Sequence, residues 1–177
     1  MGSPKQLLDY HGEPLVRNAA KVALAAGCCP VIAVLGAYAD EIRHAFDGLA
    51  VETTFNARWE EGMGTSIQAG LAALGDRADT AILALGDQPL VTPEFLRRLI
   101  ETHSHTGHPI VAARYSGTVG VPVLFARAKF AELLALAPDQ GCKGVILKNH
   151  TNAELLDCPE AAVDIDTPAD YESLSVR

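Results

Sequence analysis

The chain has 177 residues and a net charge of −8, and 49% of its residues are hydrophobic. This length predicts one domain with a buried core; the acidic balance argues against binding to nucleic acid, and no apolar run reaches the roughly 18 residues that a membrane span needs. Because the start lacks a charged-then-apolar signal segment and the four cysteines form no Cys-x-x-Cys pair, we expect reduced thiols and a cytoplasmic location.

The first half of the chain predicts alternating helices and strands. Apolar residues recur at helical spacing over 13–26, and Gly27 is placed to end that helix. The continuous apolar run over 31–36 predicts a strand buried on both faces. A helix, an outer strand and another helix should follow at 38–46, 51–55 and 65–75. Thr65 or Ser66 is placed to cap the last of these helices.

The second half continues the alternation. A buried strand is expected at 80–87, followed by a helix that begins at Pro93 with Thr92 as its N-cap. Strands should follow at 109–115 and 121–125, and helices at 127–136 and 141–149. A last strand is expected at 161–166 and a closing helix at 167–174. Strands separated by helices of about a dozen residues predict a three-layer α/β/α sandwich with a mostly parallel, Rossmann-like sheet.

Carboxylates stand where two of the predicted strands end. Asp87 closes the strand at 80–87, and Asp164 and Asp166 lie in the last strand. Ligands of such sheets bind outside the carboxyl ends of the strands, and Mg²⁺ takes one or two protein carboxylates while binding substrate phosphates. Of Asp164 and Asp166, we favour Asp166 as the second ligand. The alternative role of Asp87 and Asp166 is to cap a turn or a helix.

A glycine-rich segment at 56–66 leads into the predicted helix at 65–75. The N–H groups at a helix N-terminus attract an anion or a polar base edge. Lys5 supplies a positive charge for a phosphate, and its alternative role is that of a solvated surface charge. Together these features indicate phosphoryl or nucleotidyl transfer, in which catalysis is mainly positioning and charge neutralisation. The sequence offers no persuasive Ser/His/Asp or Cys/His set for a side-chain nucleophile.

Five short motifs, in their order, resemble one family along nearly the whole chain. They are PKQLL near the start, N-x-x-W-x-x-GMGTS in the first half, LGDQPLV at mid-chain, GVPVLF beyond it and DIDTPADY at the end. The sequence resembles the molybdenum cofactor cytidylyltransferases, within the molybdopterin nucleotidyltransferase-like proteins of GT-A-type fold. PKQLL and GDQP are similar to the cytidylyl branch, whereas the guanylyl branch more often has Asp before the lysine and Met after the aspartate.

The resemblance implies a reaction, a set of partners and a set of site residues. The terminal phosphate of a molybdopterin attacks the α-phosphorus of CTP, or of another NTP, and pyrophosphate leaves; a molybdoenzyme would receive the cofactor. Asp87 and Asp166 are implied to hold Mg²⁺, and Lys5 to neutralise the nucleotide phosphates. The base and ribose site is implied to contain Asn56, Gly62, Met63 and Ser66. The acceptor pocket is implied to be bordered by Gly120 and Pro122.

The start of the chain departs from the family pattern. Relatives carry a first strand and a glycine-rich loop ending in Met-Gly-x-Pro-Lys, whereas this chain begins with Met-Gly-Ser-Pro-Lys. We therefore expect 1–177 to be a single nucleotidyltransferase domain that lacks the N-terminal strand and most of the phosphate loop. In the family sheet order that strand lies between 30–36 and 80–87. The chain should therefore be poorly soluble, or these two strands should pair directly or borrow a strand from a second copy. The alternative functions are a guanylyl or sugar-phosphate nucleotidyltransferase and a non-catalytic nucleotide-binding relative.

Overall fold

The computed structural model describes residues 4–163 and residue 165 of the chain. Its α-helices are Leu15–Ala25 (α1), Ala39–His44 (α2), Met63–Leu74 (α3), Pro93–Thr106 (α4), Phe130–Leu134 (α5) and Lys143–Lys148 (α6). Its strands are Asp9–Tyr10 (β1), Glu13–Pro14 (β2), Val31–Leu35 (β3), Val51–Phe55 (β4), Thr80–Leu83 (β5), Ile110–Tyr115 (β6), Thr118–Ala126 (β7) and Ala153–Asp157 (β8). No helix in this part of the chain is long and apolar enough to cross a membrane.

The strands form one larger sheet and two pairs. β3 pairs in parallel with β4, and β1 forms a small antiparallel hairpin with β2. The larger sheet has the order β5-β7-β6-β8, in which β7 is antiparallel to both of its neighbours and β8 is parallel to β6. Three of its four strands therefore share one direction, and β7 is the exception because a tight turn connects it directly to β6.

Helices cover both faces of the larger sheet. Ile110 and Ala112 of β6 pack in a core with α3, α5 and α6, whereas Val111 and Ala113 pack in a second core with α1 and α4. All four of these side chains are fully buried. Successive side chains of a strand point to opposite faces, so the alternation places β6 between two helical layers. The predicted three-layer α/β/α fold is confirmed.

The two sheets lie side by side in the middle layer. α3 packs against β3 and against the larger sheet on one face, and α1 does the same on the other. Within the described ranges β3 is paired only with β4, and β5 only with β7. Direct pairing, one of the expected alternatives, is therefore wrong for the described residues, whereas poor solubility and a strand borrowed from a second copy stay predictions. Their side chains, apart from Leu35, stay partly exposed although helices cover them above and below.

Several predicted boundaries are confirmed. Thr92 caps α4, accepting a hydrogen bond from the Phe95 amide at 3.2 Å, and Pro93 is the first helical residue. Gly27 follows α1 with a positive φ of 86°, and its amide bonds the Leu24 carbonyl at 3.0 Å. All four cysteines are free.

Other boundaries are corrected. The strand predicted at 80–87 ends at Leu83, and α3 starts at Met63 with Gly62 as its N-cap, because Thr65 lies inside the helix and bonds back to the Gly62 carbonyl. A short 3-10 helix at Pro159–Ala162 occupies the start of the predicted strand at 161–166. The last strand of the described residues is instead β8. Its sequence AELLD has little strand propensity, and it forms by pairing with β6. The closing helix predicted at 167–174 lies outside the described residues.

Candidate functional site

An ion pair joins the first segment of the chain to the segment that follows β5. Lys5 begins a short 3-10 helix, Lys5–Leu7, and its ammonium lies 2.7 Å from the Asp87 carboxylate. Leu7 and the neighbouring Leu8 pack into two different hydrophobic clusters, which fix the segment that carries Lys5. The structure therefore brings together the lysine and the aspartate that the sequence singled out from distant positions.

The loop that carries Asp87 is held by contacts on both sides. The Asp87 carbonyl accepts a hydrogen bond from the Ile165 amide at 3.2 Å. The fully buried Ile165 packs in one cluster with Leu15. A Cβ built on Gly86 would lie 3.3 Å from a Val16 methyl group, so α1 packs closely against this loop. The Asp87 carboxylate is thus presented from a fixed backbone at the carboxyl end of β5.

Two buried oxygens of this loop have no hydrogen-bond partner among the described residues. They are Oδ1 of Asp87 and Oε1 of Gln88. Gln88 is 4% exposed, and its amide nitrogen donates to the Ala161 carbonyl at 2.8 Å. A buried acceptor without a partner carries a desolvation cost, and a carboxylate oxygen is the ligand type that Mg²⁺ and Mn²⁺ prefer. The carboxylate of Asp87 therefore fits one ligand position of a divalent cation.

Asp166, the second predicted metal ligand, lies outside the described residues, as does Asp164. The backbone of Ile165, which stands between Asp164 and Asp166 in sequence, is hydrogen-bonded to Asp87. Within the part of the chain that the structure describes, no group of three His, Cys, Asp or Glu side chains is arranged to hold a metal. The shared metal site of Asp87 and Asp166 stays a prediction.

Asn56 connects the end of β4 to the start of α3. Its side chain is 5% exposed, and its amide donates to the hydroxyls of Thr65 at 2.9 Å and Ser66 at 3.1 Å. Its side-chain oxygen accepts a hydrogen bond from the Arg58 amide at 2.9 Å. Asn56 and Ser66 therefore lie together as the sequence predicted, and Asn56 organises the turn before α3. Their contact with a base or ribose stays a prediction.

Close backbone packing explains the glycines before α3. A Cβ on Gly62 would lie 2.6 Å from the Pro138 carbonyl oxygen, and the Gly64 amide donates to the same oxygen at 2.9 Å. The segment 137–140 therefore covers the N-terminus of α3 and uses one of its N–H groups. Met63, between the two glycines, is 48% exposed.

The two residues predicted for the acceptor pocket lie in β7. A Cβ on Gly120 would lie 2.5 Å from the Tyr115 hydroxyl oxygen, so Gly120 allows this ring to cross the hairpin. Pro122 is fully buried and lines a cavity of about 30 Å³, large enough for a water molecule, together with Gln88 and apolar residues of α1. Sequence reasoning missed Gln88, although it stands in the GDQP motif next to Asp87.

The geometry of this site is typical of one class of protein. A lysine–carboxylate pair, with a carboxylate oxygen that has no partner among the described residues, lies at the carboxyl end of a strand in a three-layer α/β fold. This is the position where such folds bind ligands and the charge pattern that a metal-bound polyphosphate requires. Residues 1–153 match the family described as the MobA-like NTP transferase domain. The chain belongs to this family of nucleotidyltransferases.

Individual relatives carry different descriptions. Nicotine blue oxidoreductase of Paenarthrobacter nicotinovorans is 32% identical over 174 residues, which cover 93% of this chain and 84% of that protein. The crystal structure of Rv0371c from Mycobacterium tuberculosis H37Rv is 34% identical, with a TM-score of 0.78, and the alignment covers 100% of this chain and 92% of that one.

Two further structures extend the comparison. Rv0371c has also been solved in complex with manganese; that structure is 34% identical, has a TM-score of 0.76, and aligns over 99% of this chain and 94% of its own. The nucleotidyl transferase Mth528 from Methanothermobacter thermautotroptrophicus is 25% identical with a TM-score of 0.82, over 96% of this chain and 82% of that one. A divalent metal is therefore part of one similar structure.

Proposed function

We propose that this protein transfers CMP from CTP to the phosphate of a molybdopterin-type acceptor and releases pyrophosphate. The observation that supports this most directly is the Lys5–Asp87 pair beyond the end of β5, in which Oδ1 of Asp87 has no partner in the described part of the chain. Family membership supports nucleotidyl transfer, and the cytidylyl and molybdopterin specificities rest on the PKQLL and GDQP motifs. A molybdoenzyme that accepts the finished cofactor is the proposed downstream partner.

We propose that the charge of each site residue determines its role. Asp87, together with Asp166, would hold Mg²⁺, which when bound supplies charge neutralisation at the triphosphate. The Lys5 ammonium donates hydrogen bonds to phosphate oxygens and stabilises the negative charge that shifts to the pyrophosphate as the bond breaks. The attacking oxygen belongs to the acceptor phosphate, so no side chain acts as a nucleophile. This agrees with a site built from one lysine and carboxylates.

The nucleotide and acceptor would occupy opposite sides of Asp87. Asn56, Gly62, Met63 and Ser66 form one continuous turn at the end of β4 and the start of α3, and we propose that it holds the base and ribose. Met63 is exposed there and is able to close against a pyrimidine. Gly120 and Pro122 lie in β7 next to β5, and we propose that the acceptor binds on that side.

An Asp87→Asn variant tests the central role of the carboxylate. The change keeps size and hydrogen-bonding shape but removes the charge, so CMP transfer from labelled CTP should fall by about 10²-fold or more, with an unchanged melting temperature. Asp157→Asn is the matched control, because Asp157 is an exposed carboxylate paired with Arg114 at the end of β8. Full activity of Asp87→Asn would remove Asp87 from the mechanism.

A binding comparison tests the nucleotide. Calorimetry with CTP and GTP, each with Mg²⁺, should show tighter binding of CTP, because a purine needs more room beside Met63 than a pyrimidine does. Equal or tighter binding of GTP would move the assignment to the guanylyl branch. Transfer to a sugar phosphate, measured by pyrophosphate release with a panel of acceptors, would support the sugar-phosphate alternative, and binding without release of pyrophosphate would support the non-catalytic one.

A second candidate comes from the near full-length similarity to nicotine blue oxidoreductase. In this alternative the nucleotide site would hold a nicotinamide nucleotide that reduces nicotine blue. Incubation with nicotine blue and NADH or NADPH distinguishes the candidates, since reduction removes the colour without consuming CTP. Decolourisation that survives Asp87→Asn, together with no pyrophosphate release from CTP, would favour the oxidoreductase over the transferase.

A further inference from the structure

The Lys5–Asp87 pair and the Lys129–Glu132 pair are the least exposed ion pairs among the described residues. The Asp87 side chain is 15% exposed and the Lys5 side chain 30% exposed, and their charged atoms are 2.7 Å apart. The pair of Lys21 in α1 with Glu13 in β2 is more open to solvent, with side chains 46% and 36% exposed. Only the first pair involves a carboxylate with a buried oxygen that lacks a partner among the described residues.

The backbone segments that carry the two charges are anchored independently. The Lys5 carbonyl accepts a hydrogen bond from the Leu8 amide at 3.1 Å, and the Leu8 carbonyl accepts one from the Leu15 amide at the start of α1 at 3.0 Å. Asp87 is fixed by the bond from Ile165 and by the contact of Gly86 with α1. The ammonium, at the end of a flexible four-carbon side chain, is the part of the pair that can move.

We infer that Lys5 is the resident counter-cation of Asp87 in the nucleotide-free protein and that it couples metal binding to nucleotide binding. A divalent cation at Asp87 would be repelled by an ammonium 2.7 Å from the same carboxylate. A triphosphate gives the ammonium a second anion to bind, so Lys5 turns from the carboxylate to the phosphates and the repulsion is relieved. Metal alone should therefore bind weakly, and metal and nucleotide should bind together. This inference rests on the proposed function only in assigning the metal and the nucleotide to this site.

Binding measurements on Lys5→Met test the coupling without any assay of transfer. Mn²⁺ is the probe, followed by electron paramagnetic resonance, with and without CTP. Relative to the wild type, Lys5→Met should bind Mn²⁺ alone about tenfold tighter or more, because the competing charge is gone. The same variant should bind CTP about tenfold more weakly, because a contact to the phosphates is gone. The increase in Mn²⁺ affinity that CTP produces in the wild type should be lost.

Three further variants separate this coupling from a general effect of charge. Lys21→Met removes the same charge from a surface pair and should leave Mn²⁺ binding within about twofold of the wild type. Lys5→Arg keeps the charge and should keep Mn²⁺ binding weak in the absence of nucleotide. The double variant Lys5→Met with Asp87→Asn should not show the tighter Mn²⁺ binding of Lys5→Met, since the Asp87 carboxylate is the ligand. Circular dichroism establishes that each variant is folded, and Lys5→Gln replaces Lys5→Met if that variant unfolds.

The outcomes decide the inference separately from the proposed function. Unchanged or weaker Mn²⁺ binding by Lys5→Met or Lys5→Gln, or a gain that persists in the double variant, would overturn it. So would the absence of Mn²⁺ binding in every variant with and without CTP. If the protein shows the coupling but does not transfer CMP to a molybdopterin, the inference stands and the proposed acceptor is wrong.

Discussion

Replacement of Gly64 by alanine is expected to destabilise the protein, although Gly64 lies inside α3. By helix propensity alone, alanine should stabilise a helix interior by about 1 kcal/mol. At Gly64, however, the new Cβ would overlap the Ala137 carbonyl oxygen and lie 3.0 Å from the Gln140 carbonyl oxygen. Both obstacles are backbone atoms, so a change of side-chain rotamer cannot relieve the overlap.

The magnitude follows from three contributions. Overpacking costs about 1–3 kcal/mol, and separating the Gly64 amide from the Pro138 carbonyl costs about 1 kcal/mol more. Subtracting the propensity gain of about 1 kcal/mol leaves a net loss of about 2 kcal/mol in the free energy of unfolding. For a chain of this size the melting temperature should fall by about 4–8 °C.

Gly144→Ala is the matched control. Gly144 lies in α6, is exposed, and has no atom within 4 Å of a built Cβ. The free energy of unfolding of Gly144→Ala should rise by up to about 1 kcal/mol, which raises the melting temperature by about 2–4 °C. Urea denaturation and calorimetry measure both variants. A neutral or stabilising Gly64→Ala would show that 137–140 does not press on the start of α3 and would refute the packing argument.

Three other predictions follow from single features of the structure. Thr92→Ala should lower the free energy of unfolding by about 1 kcal/mol by removing the cap of α4, and Thr92→Ser should restore it, as urea denaturation would show. Burial raises the pKa of the Cys142 and Cys158 thiols to about 11, so these groups stay protonated in the folded state and ionise first in the unfolded state. Stability is therefore full below about pH 9 and falls as the pH rises through about 11, and Cys142→Ala should flatten that fall in urea titrations at stepped pH. Amides of β3 and β5 should exchange with deuterium faster than those of β6, and adding an apolar N-terminal strand should slow them; equal protection of all three would contradict the unpaired edges.

Local chemistry in the sequence determined most of the elements. Thr92 and Pro93 define the start of α4 because a capping hydroxyl and a fixed φ act within one turn of helix. The apolar run at 31–35 predicts β3, and the alternation of strands and helices predicts the three layers. The general rule that ligands bind beyond strand ends predicts from the sequence that Asp87 belongs to the site.

Only the tertiary structure decided which distant segments meet. The sequence contains no local signal that Lys5 pairs with Asp87, that 137–140 covers α3, or that β8 completes the sheet beside β6. β8 consists of AELLD, which has weak strand preference, and it is a strand because the free edge of β6 supplies its hydrogen bonds. Local signals act through neighbouring backbone groups, whereas these contacts depend on how complete helices and sheets pack, and that packing is a property of the whole chain.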